Sequence, residues 1–308
     1  QLSSLRVLIA GEPIIDTYVF TQPLGLGSKS PIVSSKVLYK ENYPGGTLAI
    51  AQHMKALGCS VGLMLPHGKE PRFKTILSKT VDDSIEVFPF PFDNWPTPRK
   101  TRFVNKFQAQ KIFEINEIDN DLWVDNDPSK FLTELTNQSK EFDMLLCADF
   151  GHGIFNKNII SELNEIDIFK AVNVQTNSAN QGFNLFIKHE SYDYLCIDKR
   201  ELRLGMHDRN TDIEQLIKLG ITKKKLTAPL SITLGAEGSV FIDKNRNFYR
   251  SPIFFKDARD TVGAGDAFLT LTSLLVRLDA PGPVVAFLGN CFAGLKTRII
   301  GNKRPVSK

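Results

Sequence analysis

The chain has 308 residues, of which 42% are hydrophobic and 23% are charged, ordinary values for a globular protein. They exclude a disordered, collagenous or purely coiled-coil chain, and we interpret residues 1–308 as one domain. The net charge of +4 suits an anionic ligand but is too small to indicate a nucleic-acid-binding surface. We expect no membrane partner either, because no apolar run is long enough to cross a bilayer and the N-terminus does not resemble a signal peptide.

The first part of the chain predicts two buried strands, a helix and a β-rich lid. Residues 5–10 form an apolar run that ends at Gly11 and predicts a strand. Apolar residues recur at helical spacing between Gly46 and Gly58, and residues 61–65 predict the next strand. The segments 13–44 and 96–116 contain strand-like pieces and lack a helical period, so they predict a small lid. Prolines at positions 89, 91, 96 and 98 predict a surface connection without regular structure.

From about residue 128 onward, predicted helices alternate with buried strands. The helices span roughly 129–140, 157–165, 199–206 and 211–219, and the strands span 143–148, 171–175, 192–197 and 230–234. Thr211 and Glu214 have the spacing of a capping box. A hairpin around residues 245–247 and two helices, 264–276 and 283–296, close the chain. This alternation predicts an α/β fold with a parallel sheet covered by helices on both faces.

The cysteines indicate the compartment. Cys147 and Cys196 lie in the apolar runs of predicted strands, and the chain contains no CxxC pair. We therefore expect buried, reduced thiols and a cytoplasmic protein. The first residue is Gln1 rather than methionine, which is compatible with a piece of a longer multidomain chain.

The stretch Asp260-Thr-Val-Gly-Ala-Gly-Asp266 directly precedes a long apolar helix. Small residues at a helix N-terminus expose main-chain N–H groups that suit a phosphate. Asp266 would repel that phosphate, unless its carboxylate accepts the proton of a hydroxyl that attacks the phosphate. An aspartate that only caps the helix is the alternative interpretation.

The whole stretch resembles the signature of ribokinase-like (PfkB-type) sugar kinases, and other motifs follow in the order of that family. These are Gly11-Glu-x-x-x-Asp16, the diglycine Gly45-Gly46, Asp198-x-x-Glu201 and Thr233-Leu-Gly-Ala-Glu-Gly238. The resemblance runs from about residue 5 to about residue 301. It implies a three-layer α/β/α fold with a mainly parallel central sheet and a β-strand lid. It also implies transfer of the γ-phosphoryl group of ATP, with Mg²⁺, to a sugar hydroxyl.

The resemblance implies a role for each matching residue. Asp266 would be the catalytic base, with the amides of Gly263, Ala264 and Gly265 as the anion hole for the transferred phosphoryl group. Asp198 and Glu201 would organise Mg²⁺. The nucleotide would contact Thr233, Gly235, Gly238 and Asn290. The sugar would contact Asp16, Gly45, Gly46, Lys100, Arg102 and Asp149.

Two groups of these residues have open alternatives. Gln175 and Asn177 follow a predicted strand, where they would bind nucleotide or sugar, or serve only as turn residues. Lys100 and Arg102 lie on one face of a strand. Arg102 would grip a phosphate on the substrate, or would belong to a solvated edge strand.

Within the family, Ala148-Asp149-Phe150 and the Lys100–Arg102 strand resemble most closely the heptose-phosphate kinase branch, the kinase domain of bifunctional ADP-heptose synthase. That domain is often fused to a nucleotidyltransferase, and lid strands in such kinases often pair in a homodimer. A heptose 7-phosphate is therefore one candidate substrate. Two departures, Ala49 and Asp198 where the family usually has asparagine, indicate an unusual substrate or reduced activity. The alternatives are a kinase for another sugar or a nucleoside, and a catalytically weak domain that senses nucleotide or sugar phosphate.

Overall fold

A computed structural model describes residues 2–108, 110–120, 122–123 and 126–307, without the side chains of residues 71, 72, 74, 79 and 80. Its strands are β1 (Arg6–Gly11), β2 (Pro13–Leu26), β3 (Val33–Gly46), β4 (Ser60–Gly68), β5 (Glu86–Phe92), β6 (Arg99–Asn105), β7 (Gln110–Glu117), β8 (Met144–Asp149), β9 (Phe169–Val174), β10 (Tyr194–Asp198), β11 (Leu230–Thr233), β12 (Ser239–Ile242) and β13 (Phe248–Ser251). Its helices are α1 (Thr47–Ala56), α2 (Pro71–Thr80), α3 (Ser129–Ser139), α4 (Lys157–Glu165), α5 (Lys199–Met206), α6 (Ile213–Thr222), α7 (Ala264–Arg277) and α8 (Gly282–Lys296).

The described strands form two sheets. The central sheet has the order β13-β12-β11-β10-β9-β8-β1-β4-β5, and its strands from β11 to β5 are mutually parallel. β12 and β13 continue the sheet as an antiparallel hairpin. The strands of the predicted lid form a separate sheet with the order β3-β2-β6-β7. The prediction of a mainly parallel α/β fold is confirmed.

Helices cover both faces of the central sheet. This explains why the sequence of strand β1 is apolar on both of its faces. Val7 and Ile9 point into a core that includes buried residues of α1, α7 and α8, whereas Leu8 and Ala10 point into a second core that includes residues of α3 to α6. Successive side chains of a strand face opposite sides, so a strand between two helical layers needs apolar residues at every position. Among the described residues no helix has the length and apolarity needed to cross a membrane.

Three local expectations are wrong. Residues 86–92 form strand β5 rather than an irregular connection, because β5 is an edge strand and its prolines need not donate to a neighbour on the open side. α6 is capped by Asp212, which accepts the N–H groups of Glu214 and Gln215, instead of by Thr211. β6, which carries Arg102, lies between β2 and β7 and is not an edge strand.

The lid sheet is tied to the loop before α7 through Asp260. The phenol of Tyr18 on β2 donates to one carboxylate oxygen of Asp260 (2.7 Å), and Lys111 on β7 donates to the other (2.6 Å). Asp260 opens the glycine-rich stretch, so these bonds fix the lid against the segment in which the sequence predicts phosphate binding.

Candidate active site

The glycine-rich loop leads into α7 in the way the sequence predicts for an anion site. Gly263 is the N-cap residue, with φ of 78°, a left-handed conformation that glycine adopts without strain. A Cβ atom at Gly265 would meet no atom within 4 Å, so this part of the backbone faces open space. The N–H of Ala264 donates to the carbonyl of Thr261 (3.2 Å), which makes Ala264 the least available of the three predicted anion-hole amides.

Asp266 lies in the first turn of α7, at a cavity of about 960 Å³ that Gly263 and Gly265 also line. Its side chain is largely buried, and its Oδ1 accepts a hydrogen bond from Nε2 of Gln175 (2.9 Å). Burial raises the pKa of Asp266 to about 6, because the low-dielectric surroundings disfavour the charged carboxylate. The group is therefore ionised at neutral pH and has a pKa close to that of an effective general base.

Charged residues of the lid face Asp266. Asp16 on β2 forms an ion pair with Arg102, whose Nε also donates to Glu114 (2.8 Å). Lys100 is close enough for its charge to act on both Asp16 and Asp266, and burial lowers the pKa of Lys100. The structure thus brings Asp16, Lys100 and Asp266 together. The guanidinium of Arg102 is buried against two carboxylates, so its interpretation as part of a solvated edge strand is wrong, and its contact with a substrate phosphate stays a prediction.

The diglycine packs against Asp16. A Cβ atom at Gly45 would lie 2.6 Å from Oδ2 of Asp16, so a larger residue would displace the carboxylate. Gly46, with φ of 56°, is the N-cap of α1, and a Cβ atom there would collide with the carbonyl of Glu12. Both glycines therefore let β3 turn into α1 beside Asp16.

Asp149 lies at the end of β8 and is completely buried. Its carboxylate accepts hydrogen bonds from Nζ of Lys188 (2.7 Å), Nε2 of His189 (2.8 Å) and Nδ2 of Asn184 (3.0 Å). The neighbouring carboxylate of Glu12 accepts the N–H groups of three residues between 150 and 154. These bonds hold the loop after β8, and contact of Asp149 with a substrate stays a prediction.

Asp198 and Glu201 line the same cavity as Asp266 and cap α5 reciprocally. Oδ1 of Asp198 accepts the N–H of Glu201 (2.7 Å), and Glu201 accepts the N–H groups of Asp198 (2.6 Å) and Thr176 (2.9 Å). Burial, assisted by the charge of Asp198, raises the pKa of Glu201 to about 8. Among the described residues no cluster of three or more His, Cys, Asp or Glu side chains could hold a metal ion.

A second cavity of about 360 Å³ also lies along the glycine-rich loop, where Thr261, Ala264 and Gly265 line it. It shares Thr233, Gly235 and Gly265 with the first, and Gly238 and Asn290 also line it. Its wall includes the aromatic residues Phe254, Phe255 and Phe268. The side-chain amide of Asn290 donates to Oγ of Ser239 (2.6 Å), which fixes its orientation.

Gln175 and Asn177 differ in position. Gln175 lines the larger cavity and touches Asp266, a contact that the sequence did not indicate. Asn177 donates to the carbonyl of Phe150 (2.8 Å) and accepts the N–H of Ala179 (2.9 Å), as a turn residue does.

Asp260 was part of the recognised stretch, but the sequence did not indicate that it anchors the lid. Its partners Tyr18 and Lys111 lie far from it in the sequence.

Comparison with known proteins agrees with this geometry. The model of the family described as pfkB family carbohydrate kinase matches residues 6–294. The Bifunctional protein HldE of Haemophilus influenzae is 23% identical over 304 residues, and that of Syntrophotalea carbinolica is 21% identical over 305 residues. Each match covers 98% of this chain, whereas it covers 62% and 61% of the respective relative, so the chain spans less than two thirds of their length.

Solved structures show the same fold at low sequence identity. The ribokinase of Arabidopsis thaliana complexed with ribose and ATP superimposes with a TM-score of 0.74 and 15% identity, over 98% of this chain and 96% of the ribokinase. The phosphofructokinase-2 of Escherichia coli in complex with substrates and products gives a TM-score of 0.74 and 16% identity, over 98% and 95% of the two chains.

Proposed function

This chain belongs to the PfkB family of carbohydrate kinases, phosphotransferases with a hydroxyl acceptor, and we propose that it transfers the γ-phosphoryl group of ATP to a sugar phosphate. One observation supports this most strongly. A carboxylate with a pKa near 6, that of Asp266, lies in the first turn of a helix whose N-terminal backbone faces a large cavity. A proton acceptor and an anion-binding site therefore lie side by side, as transfer from a phosphate to a hydroxyl requires.

Asp266 is the proposed general base. Its Oδ1 is held by Gln175, so the carboxylate has a fixed direction when a hydroxyl approaches. Proton transfer from the hydroxyl to Asp266 makes the oxygen a nucleophile for the γ-phosphorus. Because Gln175 orients the carboxylate in advance, little reorganisation is needed when the proton moves to it. This preorganisation favours the reaction.

The backbone of Gly263–Gly265 and the charge of Lys100 are proposed to bind the transferred phosphoryl group. Phosphoryl transfer depends mainly on positioning and on neutralising the phosphate charge. Helix α7 directs the positive end of its dipole toward the cavity, and Lys100 approaches from the lid. The lid, fixed to Asp260 by Tyr18 and Lys111, excludes water that would compete as a nucleophile.

The carboxylates at the cavity fit Mg²⁺ bound mainly through ATP. Mg²⁺ keeps several waters and takes one or two carboxylates together with substrate phosphates. Asp198 and Glu201 supply two such groups, and their capping bonds hold them in place. They would bind the ion or its waters, and the bound ion would neutralise phosphate charge.

The second cavity is the proposed adenine site. Its three phenylalanines offer apolar surface to a planar base, and Gly235 and Gly238 let the backbone approach it. Thr233 and Gly265 line both cavities, so one nucleotide can place its base in the second and its phosphates in the first. Asn290 gives this site an amide held in a fixed orientation.

A heptose phosphate is the proposed acceptor. The proposal rests on the resemblance of residues 148–150 and of the Lys100 strand to the heptose-phosphate kinases, together with the curated relatives named above. Because those relatives are longer than this chain, we also propose a fused nucleotidyltransferase domain. The buried thiols of Cys147 and Cys196 support the proposal of a cytoplasmic enzyme.

A substrate panel tests the proposal. Release of ADP is measured with heptose 7-phosphates, hexose phosphates, free sugars and nucleosides, with and without Mg²⁺. We expect the highest kcat/KM with a heptose 7-phosphate. A preference for another sugar or a nucleoside would refute the heptose assignment and leave the kinase assignment intact.

A domain that only senses ligands is the second candidate. Glu201 uses its carboxylate oxygens as acceptors for backbone N–H groups, and Asp198 adds a negative charge beside it. A glutamate whose oxygens are engaged and whose pKa is raised is a poorer metal ligand, which would weaken binding of a phosphate-bound metal ion through Glu201. ATP binding measured by calorimetry without ADP release from any acceptor would favour this second function.

A homodimer formed through the lid is also proposed. Large apolar side chains are exposed along the lid strands, including Leu24 (63% exposed) and Leu26 (69%) on β2 and Phe113 and Ile115 on β7. Exposed apolar side chains on sheet strands indicate an interface. Light scattering should give twice the chain mass, and Leu26→Lys should reduce it to the monomer mass.

A further inference from the structure

Lys296, the last residue of α8, carries a completely buried ammonium group. Its Nζ donates to the carbonyl oxygens of Val262 (2.8 Å), Gly301 (2.8 Å) and, more weakly, Ile299 (3.5 Å). An ammonium has three donors and no acceptor, so three carbonyls satisfy it. A lysine at the end of a helix ordinarily reaches solvent, and the sequence therefore gave no sign of this arrangement.

The ammonium lies directly behind the proposed phosphate-binding loop. Val262 precedes Gly263, and a Cβ atom at Gly263 would lie 3.2 Å from Cε of Lys296. Asp260 joins the same two segments from the other side, since its carboxylate accepts the N–H groups of Val262 (3.1 Å) and Gly301 (2.8 Å). Lys296 and Asp260 together connect the loop to the turn after α8.

The surroundings of Lys296 compensate in part for the burial of its charge. A buried ammonium is strongly disfavoured unless carbonyl dipoles and opposite charges compensate it. Here burial lowers the pKa of Lys296, and the carbonyls that accept from Nζ, together with the charges of Asp260 and Asp266, oppose this shift. Because the C=O and N–H of a trans peptide point in opposite directions, the N–H of Gly263 points away from Lys296, and Gly263 lines the cavity.

We propose that Lys296 is a positioning residue for phosphoryl transfer, a tethered cation that holds the loop 260–265 in its phosphate-binding conformation. This inference rests on the proposed kinase function and adds a residue to it. Carbonyl oxygens can replace the hydration shell of K⁺ as well as satisfy an ammonium. Removing the amine should therefore leave a site that K⁺ or NH₄⁺ can occupy, whereas the unmodified chain needs neither ion.

The test compares the unmodified chain with Lys296→Ala in KCl, NH₄Cl, NaCl and tetramethylammonium chloride at equal ionic strength. Affinity for ADP is measured by calorimetry, and turnover is measured by ADP release. In tetramethylammonium chloride we expect Lys296→Ala to lose on the order of 10²-fold in kcat/KM, since small misplacements of positioning groups have effects of this size. K⁺ or NH₄⁺ should restore much of the loss and should tighten ADP binding.

Lys170 provides a matched control. It is also buried and donates to two carbonyls, those of Leu163 and Ile166 (3.1 Å each), but does not line the cavity. Lys170→Ala should reduce thermal stability without making turnover or ADP affinity depend on the cation. Cation-dependent rescue of this control as well would show a general stabilising effect of salt and overturn the inference.

The outcomes separate the inference from the function on which it rests. If the unmodified chain binds no ADP in any salt, the kinase proposal fails. If the unmodified chain binds ADP but Lys296→Ala behaves alike in all four salts, the inference on Lys296 fails. Should Lys296→Ala not fold, the unmodified chain still decides, because activation of its turnover by K⁺ over tetramethylammonium would contradict a site already filled by Lys296.

Discussion

Asparagine at position 266 would keep the size of the side chain and the hydrogen bond from Gln175, but could not accept a proton. We expect Asp266→Asn to lower kcat by on the order of 10²- to 10⁴-fold, the usual contribution of a general base. The KM for ATP should change little, because the proposed nucleotide contacts are made by the backbone and by the second cavity rather than by this carboxylate.

The same substitution has a calculable effect on stability. Burial raises the pKa of Asp266 from 3.8 to about 6, so the folded state holds its proton more tightly than the unfolded state. Stability is therefore highest below the unfolded pKa and falls as the pH rises through 6. A difference of about two pKa units corresponds to about 3 kcal/mol. Asp266→Asn removes this penalty, so it should raise the free energy of unfolding at pH 8 by up to about 3 kcal/mol, and by about half as much at pH 5.

Urea unfolding at pH 8 and pH 5, followed by tryptophan fluorescence, measures this difference. A coupled assay of ADP release measures turnover on the same preparations. Asp279→Asn is the control, because Asp279 is exposed and pairs with Lys244 on the surface, away from the cavity. A variant at position 266 with near-normal turnover would exclude Asp266 as the base. A free energy of unfolding that falls at pH 8 would show that burial does not penalise the carboxylate.

Three further changes test neighbouring parts of the site. Gln175→Ala removes a hydrogen bond that favours the ionised form of Asp266, so the acidic limb of the pH profile of kcat/KM should move to higher pH; an unchanged limb would mean that another group titrates. Gly263→Ala introduces a side chain at a left-handed position, at a strain of about 1–2 kcal/mol, and should weaken ATP binding in calorimetry. Arg102→Met leaves the buried Asp16 without its ion-pair partner, and urea unfolding at pH 8 should show a loss of about 3–5 kcal/mol; a neutral effect would show that the pair is solvated.

The order of strands and helices followed from the sequence because local patterns determine it. The unbroken apolar run of β1 indicates a strand that is buried on both faces, and the spacing of apolar residues in α1 indicates a helix that is buried on one face. The structure has both elements close to the predicted bounds. The loop 260–266 was likewise recognisable, since small residues before an apolar helix produce an anion site through backbone geometry alone.

Elements without a clear pattern were missed or misinterpreted. α2 lay outside every prediction, and β5 was taken for a loop because of its prolines. Whether a proline is tolerated depends on whether the strand lies at the edge of a sheet. The order of strands in the sheet decides that, and no single segment contains it.

Side-chain partners were decided by the tertiary structure alone. The sequence shows which residues stand at positions 260, 266 and 296, and the small residues before Asp266 predict a backbone that binds an anion. It could not show that Gln175 would hold Asp266, or that Lys296 would turn inward to three carbonyls. Both contacts join residues that are far apart in the chain. The pKa of a side chain, and the direction in which a charged side chain points, depend on the distant residues that surround the side chain and exclude water.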